Sequence, residues 1–376
     1  MVVTCYNKTY PIFRCDLEGT KILKVTEIID EDRMPILLQD GVYNDLEKVN
    51  AWVESRLIPA KRDGLATIRK LYKFENYHNM FSLSDQYWFQ YTSRETWKKM
   101  NYFRNRYQSE TGKLFFAPWT VNKNDLKKEG PDLTTNGILR KRWVQGEPEE
   151  EGGAYPSYLI KAGYRNGGQN PISEVLVSMM LGKLRCIPYV EYKLICEGLK
   201  ICSICKNFID ENTEYVPCSH IYFKIKREKP DTPYKHIIKT AEKYGVSKEE
   251  SVKYLDAMIA VDSVTFNKDR HLNNFGFLRD VKTGQVTGYA PLFDNGSAYM
   301  PTKDNANEMF KDREQKALEK IITLLELKDI DINDMIKLAE TFPTTTEKEK
   351  EYMISRIRAS RTKVVRIKDK SRTEDR

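Results

Sequence analysis

The sequence predicts an α+β chain in two lobes, the first mixed and the second mainly helical. Three observations predict it. Strand-like runs flank one helical pattern over residues 132–223, and the pattern turns helical after Pro233. A single non-helical insert, residues 265–300, interrupts those later helices. The 376 residues, 40% hydrophobic and 31% charged, suit a globular chain of two or three domains.

Charge and hydropathy exclude several classes. Net charge is +8, but residues 356–376 hold nine Lys/Arg against three Asp/Glu, so +6 sits in the tail and +2 elsewhere. So modest an excess does not mark the whole chain as a nucleic-acid binder. The tail could reach a nucleic acid or an acidic partner; a solvated helix end is the preferred reading. No apolar run reaches the roughly 18–20 residues of a membrane span. The first residues lack the basic and apolar regions of a secretory signal. The expected compartment is the cytoplasm, and a secreted effector without a classical signal is compatible with the same sequence.

The expected division is an accessory subdomain over 1–107, a first lobe over 108–232 and a helical lobe over 233–376. In the accessory part, Leu46, Val49, Trp52 and Val53 recur at helical spacing over 44–58 and Pro59 closes the pattern. A polar stretch, 108–130, marks the boundary. Then come a glycine turn at Gly137, an alternating strand ending at Lys161, and a helix with Asn170 as N-cap and Pro171 in its first turn. Strands follow over PYVEYKLI, ICSICKNFI and TEYVPCSHIYF. Ser247 with Glu250, and Thr346 with Glu349, have capping-box spacing. Further helices are expected over 307–327, 331–340 and 347–365.

Seven cysteines do not make a disulfide framework in a cytosolic chain. Cys202, Cys205, Cys218 and His220 could supply four zinc ligands. Cysteines on strands are more often small buried hydrophobes, and that reading is preferred.

The insert holds the chemistry. Two apolar runs around a Lys-Thr-Gly turn read as a hairpin, with Asp269 and Asn274 before its first strand and Asp294 after its second. A hairpin brings those ends together, so two carboxylates and an amide converge. Such hard oxygens suit magnesium shared with nucleotide phosphates, and phosphoryl transfer needs a further Asp at the acceptor hydroxyl. Protein kinases place the catalytic Asp and the metal-binding Asn five residues apart, with a later Asp before Gly; Asp269, Asn274 and Asp294-Asn295-Gly296 repeat that spacing. Asp-Asn-Gly alone is turn chemistry, but the joint pattern is far more specific. His271 is expected to brace the loop. Lys161 is the expected phosphate-binding cation, with Glu174 on the next helix as its partner.

NKDRHLNNFGFL followed by PLFDNG resembles the HipA-like bacterial serine/threonine kinases, as does YLIKAG…NPISEVLVSMMLGKLRCIPYVEYKL upstream. The likeness covers about residues 130–345. It implies a bilobal protein-kinase-like fold that uses ATP and Mg²⁺ to phosphorylate a protein. Asp269 would be the catalytic base, Asn274 and Asp294 the magnesium ligands, Lys161 the phosphate lysine. Relatives include toxins with antitoxin partners and effectors, and some autophosphorylate in the loop over the nucleotide. Here that loop is 132–137, which makes Thr134 and Thr135 the acceptor candidates. The sequence departs in having Asp-Asn-Gly for Asp-Leu, and it lacks a Gly-x-Gly-x-x-Gly loop. Two rivals stand beside this reading: a phosphoinositide-type lipid kinase, which shares Asp-Arg-His-x-x-Asn, and a non-catalytic binding regulator.

Overall fold

The computed structural model describes residues 1–66, 81–107, 110–117, 137–163, 168–301, 308–324, 331–343 and 345–374. The chain divides into two compact units, Met1–Ala162 with Ile195–Val216 and Arg279–Gln285, and Gly163–Leu194 with Pro217–Leu278 and Val286–Arg376.

In the first unit, β1 (Val2–Asn7), β2 (Tyr10–Glu18), β3 (Lys21–Ile28) and β4 (Tyr87–Gln90) form a sheet in the order β3-β2-β1-β4. Alternate residues Cys15 and Leu17 of β2 are buried with Val3 and Cys5 of β1. Helix α1 (Leu46–Ser55) adds Val49, Trp52 and Val53 to that core, each side chain stabilising it by about 1.5–3 kcal/mol. Asp45 caps α1, its Oδ1 accepting from Glu47 N at 3.1 Å and Lys48 N at 3.3 Å. Leu46, the first helical residue, lies outside the buried stripe and is exposed. Two single-turn helices follow, α2 (Trp97–Met100) and α3 (Glu110–Lys113). Of the polar stretch expected as a boundary, only 110–117 is described.

A second sheet comprises β5 (Lys141–Gln145), β6 (Ser157–Ala162), β7 (Tyr192–Glu197) and β8 (Lys200–Lys206) in the order β5-β6-β8-β7. One face packs Ile160, Ala162 and Cys202 on Ile58, Leu65, Phe115 and Phe116. Burial pushes the Cys202 thiol up to about 12, and the Cys218 thiol well above its ordinary range. Among the described residues, no group of three or more His, Cys, Asp or Glu side chains is placed to hold a metal.

The strand expected through His220 stops early. Strand β9 ends at Pro217 (Thr213–Pro217), which has no N–H to extend a ladder, and Cys218–Tyr222 turns into a short helix.

The second unit is mainly helical: α4 (Asn170–Leu184), α5 (Cys218–Tyr222), α6 (Pro233–Lys243), α7 (Lys248–Thr265), α8 (Glu314–Leu324), α9 (Asn333–Thr341) and α10 (Glu347–Glu374). Both capping boxes are realised at least in part. Ser247 Oγ accepts from Glu250 N at 3.1 Å, while Thr346 and Glu349 reciprocate, at 3.3 and 2.8 Å. Helix α4 starts one residue early: Gln169 takes the N-cap position and Asn170 is helical. Asn170 instead reaches across to the Asp294 loop, where its Nδ2 donates to Gly296 O at 3.0 Å.

Helix α7 is buried on all sides from Tyr254 to Thr265, as expected of a central helix. Its one mid-helix carboxylate, Asp256, is fully matched. Tyr234 Oη, Arg313 and Lys320 Nζ donate to it at 2.8–3.1 Å. Helix α10 runs past the expected end at 365, and its stretch 357–364 is not a solvated tail: Ile357, Ser360 and Val364 are buried. Among the described residues, no helix is long and apolar enough to cross a membrane.

Candidate active site

The insert folds as the hairpin its pattern predicts. Strands β10 (Gly276–Asp280) and β11 (Val286–Tyr289) are joined by Asp280 N to Gln285 O and Ala290 N to Gly276 O, each 2.9 Å. Asp280 Oδ1 closes the turn by accepting from Thr283 N and Oγ1 at 2.6 and 2.9 Å.

The base of the hairpin is organised by Arg270, which is fully buried. Its Nε and Nη2 form a two-pronged pair with Asp262 of α7, both at 3.0 Å. Its Nη1 donates to Asn274 O at 2.9 Å and to Phe293 O at 2.8 Å. Nη2 also donates to Asn295 Oδ1 at 2.5 Å. One guanidinium thus ties the end of α7, the Asp269 loop and the Asp294 loop together. Asn267 Nδ2 adds a bond to Asp262 at 2.9 Å, and Asn267 Oδ1 accepts from Asp269 N at 3.2 Å.

Asp269 sits on this frame. The residue reaches the surface, but partial desolvation raises its carboxyl above the ordinary value and Asp294 pushes the same way, while His271, Arg270 and the Ser297 hydroxyl oppose. Ser297 Oγ lies 3.5 Å from Asp269 Oδ2. Asn274 Nδ2 donates to Asp269 O at 2.9 Å; a carbonyl partner commits the amide nitrogen and leaves Oδ1 as the remaining acceptor. Asp294 is held at φ 58, a left-handed conformation uncommon outside glycine, with its N donating to Tyr192 Oη at 3.3 Å. His271 is exposed, and its Nδ1 accepts only locally, from Asn273 N at 3.3 Å. The bracing expected of His271 falls chiefly to Arg270.

Glu174 is buried in the first turns of α4, where its Oε2 accepts from Asn295 N at 2.8 Å. Asn295 is therefore used twice, its N–H by Glu174 and its side chain by Arg270, which gives the Asp-Asn-Gly departure a structural cause.

The expected phosphate lysine belongs to the first unit and is described there. Lys161 is buried on β6, directly opposite Lys141 of β5 and Ser203 of β8. Cross-strand partners share a face, so two buried lysines and a hydroxyl form one row on the sheet face opposite Ile160 and Cys202. Gly137 adopts φ +99, and a Cβ there would lie 2.6 Å from Lys141 Nζ. Arg62, also buried, donates to Gly137 O at 3.3 Å. Lys141 and Arg62 were not singled out from sequence. Thr134 and Thr135 lie outside the described residues.

Asp269, Asp294 and Asn274 Oδ1 make a small, hard oxygen set. It suits a cation that completes its shell with water and phosphate oxygens.

The fold is that of HipA from Shewanella oneidensis MR-1, solved with HipB and operator DNA of a toxin–antitoxin system. The match has a TM-score of 0.54 and 11% identity over 97% of each chain. The Helicobacter pylori proinflammatory kinase CtkA also matches, over 56% of this chain and 89% of its own, with a TM-score of 0.45 and 18% identity. No family model matches the sequence, and no curated protein sequence does. The chain has a HipA-like, α+β kinase fold.

Proposed function

We propose that the chain is an ATP- and Mg²⁺-dependent phosphotransferase acting on a serine or threonine hydroxyl of a protein. The observation that carries this reading is one buried guanidinium, Arg270, that donates to Asn274 O and to Phe293 O and so holds the loops of Asp269 and Asp294 together. Asp269 orients the acceptor hydroxyl and takes its proton as the oxygen bonds to the γ-phosphorus and the bond to ADP breaks. Asn274 and Asp294 hold Mg²⁺, which neutralises phosphate charge when bound. Lys161, opposite Lys141, supplies cationic contacts to the nucleotide phosphates, and Gly137 lets the chain approach them.

An antitoxin partner is proposed on the likeness to HipA, which was solved with HipB. The test is incubation with labelled ATP and Mg²⁺, offering a generic protein acceptor and phosphoinositide vesicles in parallel, followed by phosphoamino-acid analysis. Label on serine or threonine supports the reading. Label confined to lipid moves the activity to a lipid kinase, and absence of ATP binding moves it to a binding regulator.

A further inference from the structure

The last four carbonyls of a helix have no partner within it, and α7 ends where the Asp269 loop begins. Each of its four has an identified acceptance. Asp262 O takes Phe266 N and, at 2.9 Å, Asn267 N. Thr265 O takes Tyr299 N, just beyond the Asp294 loop, at 3.1 Å. The middle two are satisfied from α10: Ser360 Oγ donates to Val264 O at 2.6 Å, and Lys363 Nζ to Ser263 O at 3.2 Å.

The same lysine does more. Lys363 Nζ also donates to Ser263 Oγ, whose hydroxyl donates to Glu314 of α8, and Lys363 pairs with Glu314 at 3.2 Å. Phe266, which leaves α7 at φ 56, lies under two cations, Arg356 at 4.6 Å and Lys363 at 5.8 Å from its ring centre. A pocket of about 110 Å³ lies beside these contacts, lined in part by Asp262, Phe266, Asn267, Lys268, Glu314 and Lys363.

We propose that Ser360 and Lys363 of α10 are positioning residues for the Asp269 loop, acting through the C-terminal carbonyls of α7. This rests on the phosphotransfer reading above. Losing the two donors leaves Ser263 O and Val264 O without partners and lets the Phe266 corner shift. Asp262, on the same turn, then no longer holds Arg270 in register.

The experiment compares wild type with Lys363→Met, Lys363→Arg and Ser360→Ala. It measures kcat and KM for ATP, with amide hydrogen exchange over 266–274 as a second readout. The expected result is a kcat lowered about tenfold or more in Lys363→Met and Ser360→Ala, as for a small misplacement of a reacting group. The ATP KM changes less than twofold, Lys363→Arg recovers most of the rate, and loop amides exchange faster while α4 amides do not. Unchanged kcat with unchanged loop exchange overturns the positioning role, as does a uniform rise in exchange across the unit. If wild type transfers no phosphate, the phosphotransfer reading falls, and loop exchange alone decides the coupling: faster in the variants sustains it, unchanged overturns it.

Discussion

Arg270 Nη2 donates to Asn295 Oδ1 at 2.5 Å, joining the loop of Asp269 to the loop of Asp294 through two buried side chains. The relationship explains how residues far apart in sequence keep their carboxylates at one place without direct pairing. It also sets the first prediction. Replacing Arg270 by Met removes the cation from Asp262, a carboxylate with 10% side-chain exposure that then keeps only the Asn267 Nδ2 bond of those described. The expected loss is about 3–5 kcal/mol of stability, read by urea unfolding. Asn295→Ala keeps the Asp262 pair and should cost less, about 1–3 kcal/mol, because it leaves only one guanidinium N–H unanswered.

Asp269→Asn should lower transfer by roughly 10²–10⁴-fold, the usual worth of a positioned base, with ATP binding retained. Without bound cation the Asp269 carboxyl titrates at a midpoint higher than that of an ordinary aspartate. Removing the neighbouring charge in Asp294→Asn moves the Asp269 midpoint down, measurable by carboxyl ¹³C NMR without turnover.

Gly137→Ala brings a methyl against the Lys141 ammonium at a positive φ. If Lys141 and Lys161 hold phosphate, displacing one charge-assisted contact of about 1.5 kcal/mol raises the ATP KM roughly tenfold with little change in kcat. An unchanged KM removes Lys141 from the phosphate site.

Glu214 gives a pH dependence of stability in the first unit. Burial pushes its carboxyl up to about 7; Arg279 and Arg56 and the Tyr87 hydroxyl oppose, and Asp85 adds to the rise. A folded value above the unfolded one contributes stability at low pH, which is lost as pH rises from about 4.5 to about 7, by about 3 kcal/mol at most. Glu214→Gln should flatten the Tm profile across that window. A profile with the same slope in both proteins contradicts the assignment.

The sequence revealed the hairpin and the trio Asp269, Asn274 and Asp294, because spacing, turn residues and alternation are local properties. Arg270 was hidden, since Asp-Arg-His reads as a polar turn and its burial depends on an acid eight residues upstream. Asp262, an acid near the end of the otherwise apolar AMIAVDSV, was the signal that could have exposed it. Lys141 escaped because the long connection between β5 and β6 leaves their register unset by sequence. The inward face of α10 was legible in Ile357, Ser360 and Val364 at helical spacing, but the density of positive charge masked it. Asn170 was misplaced by one position because two roles fit it, cap and donor to Gly296, and tertiary contact chose the second.

We propose that Asp269 and Asp294 perform phosphoryl transfer. The most direct measurement is transfer of labelled γ-phosphate with Mg²⁺ by wild type, Asp269→Asn and Asp294→Asn, using the protein itself and a generic Ser/Thr protein as acceptors. Label on serine or threonine that disappears in both variants, each still folded, is the predicted result. Label that persists in both variants, or a wild type that does not bind ATP, contradicts it.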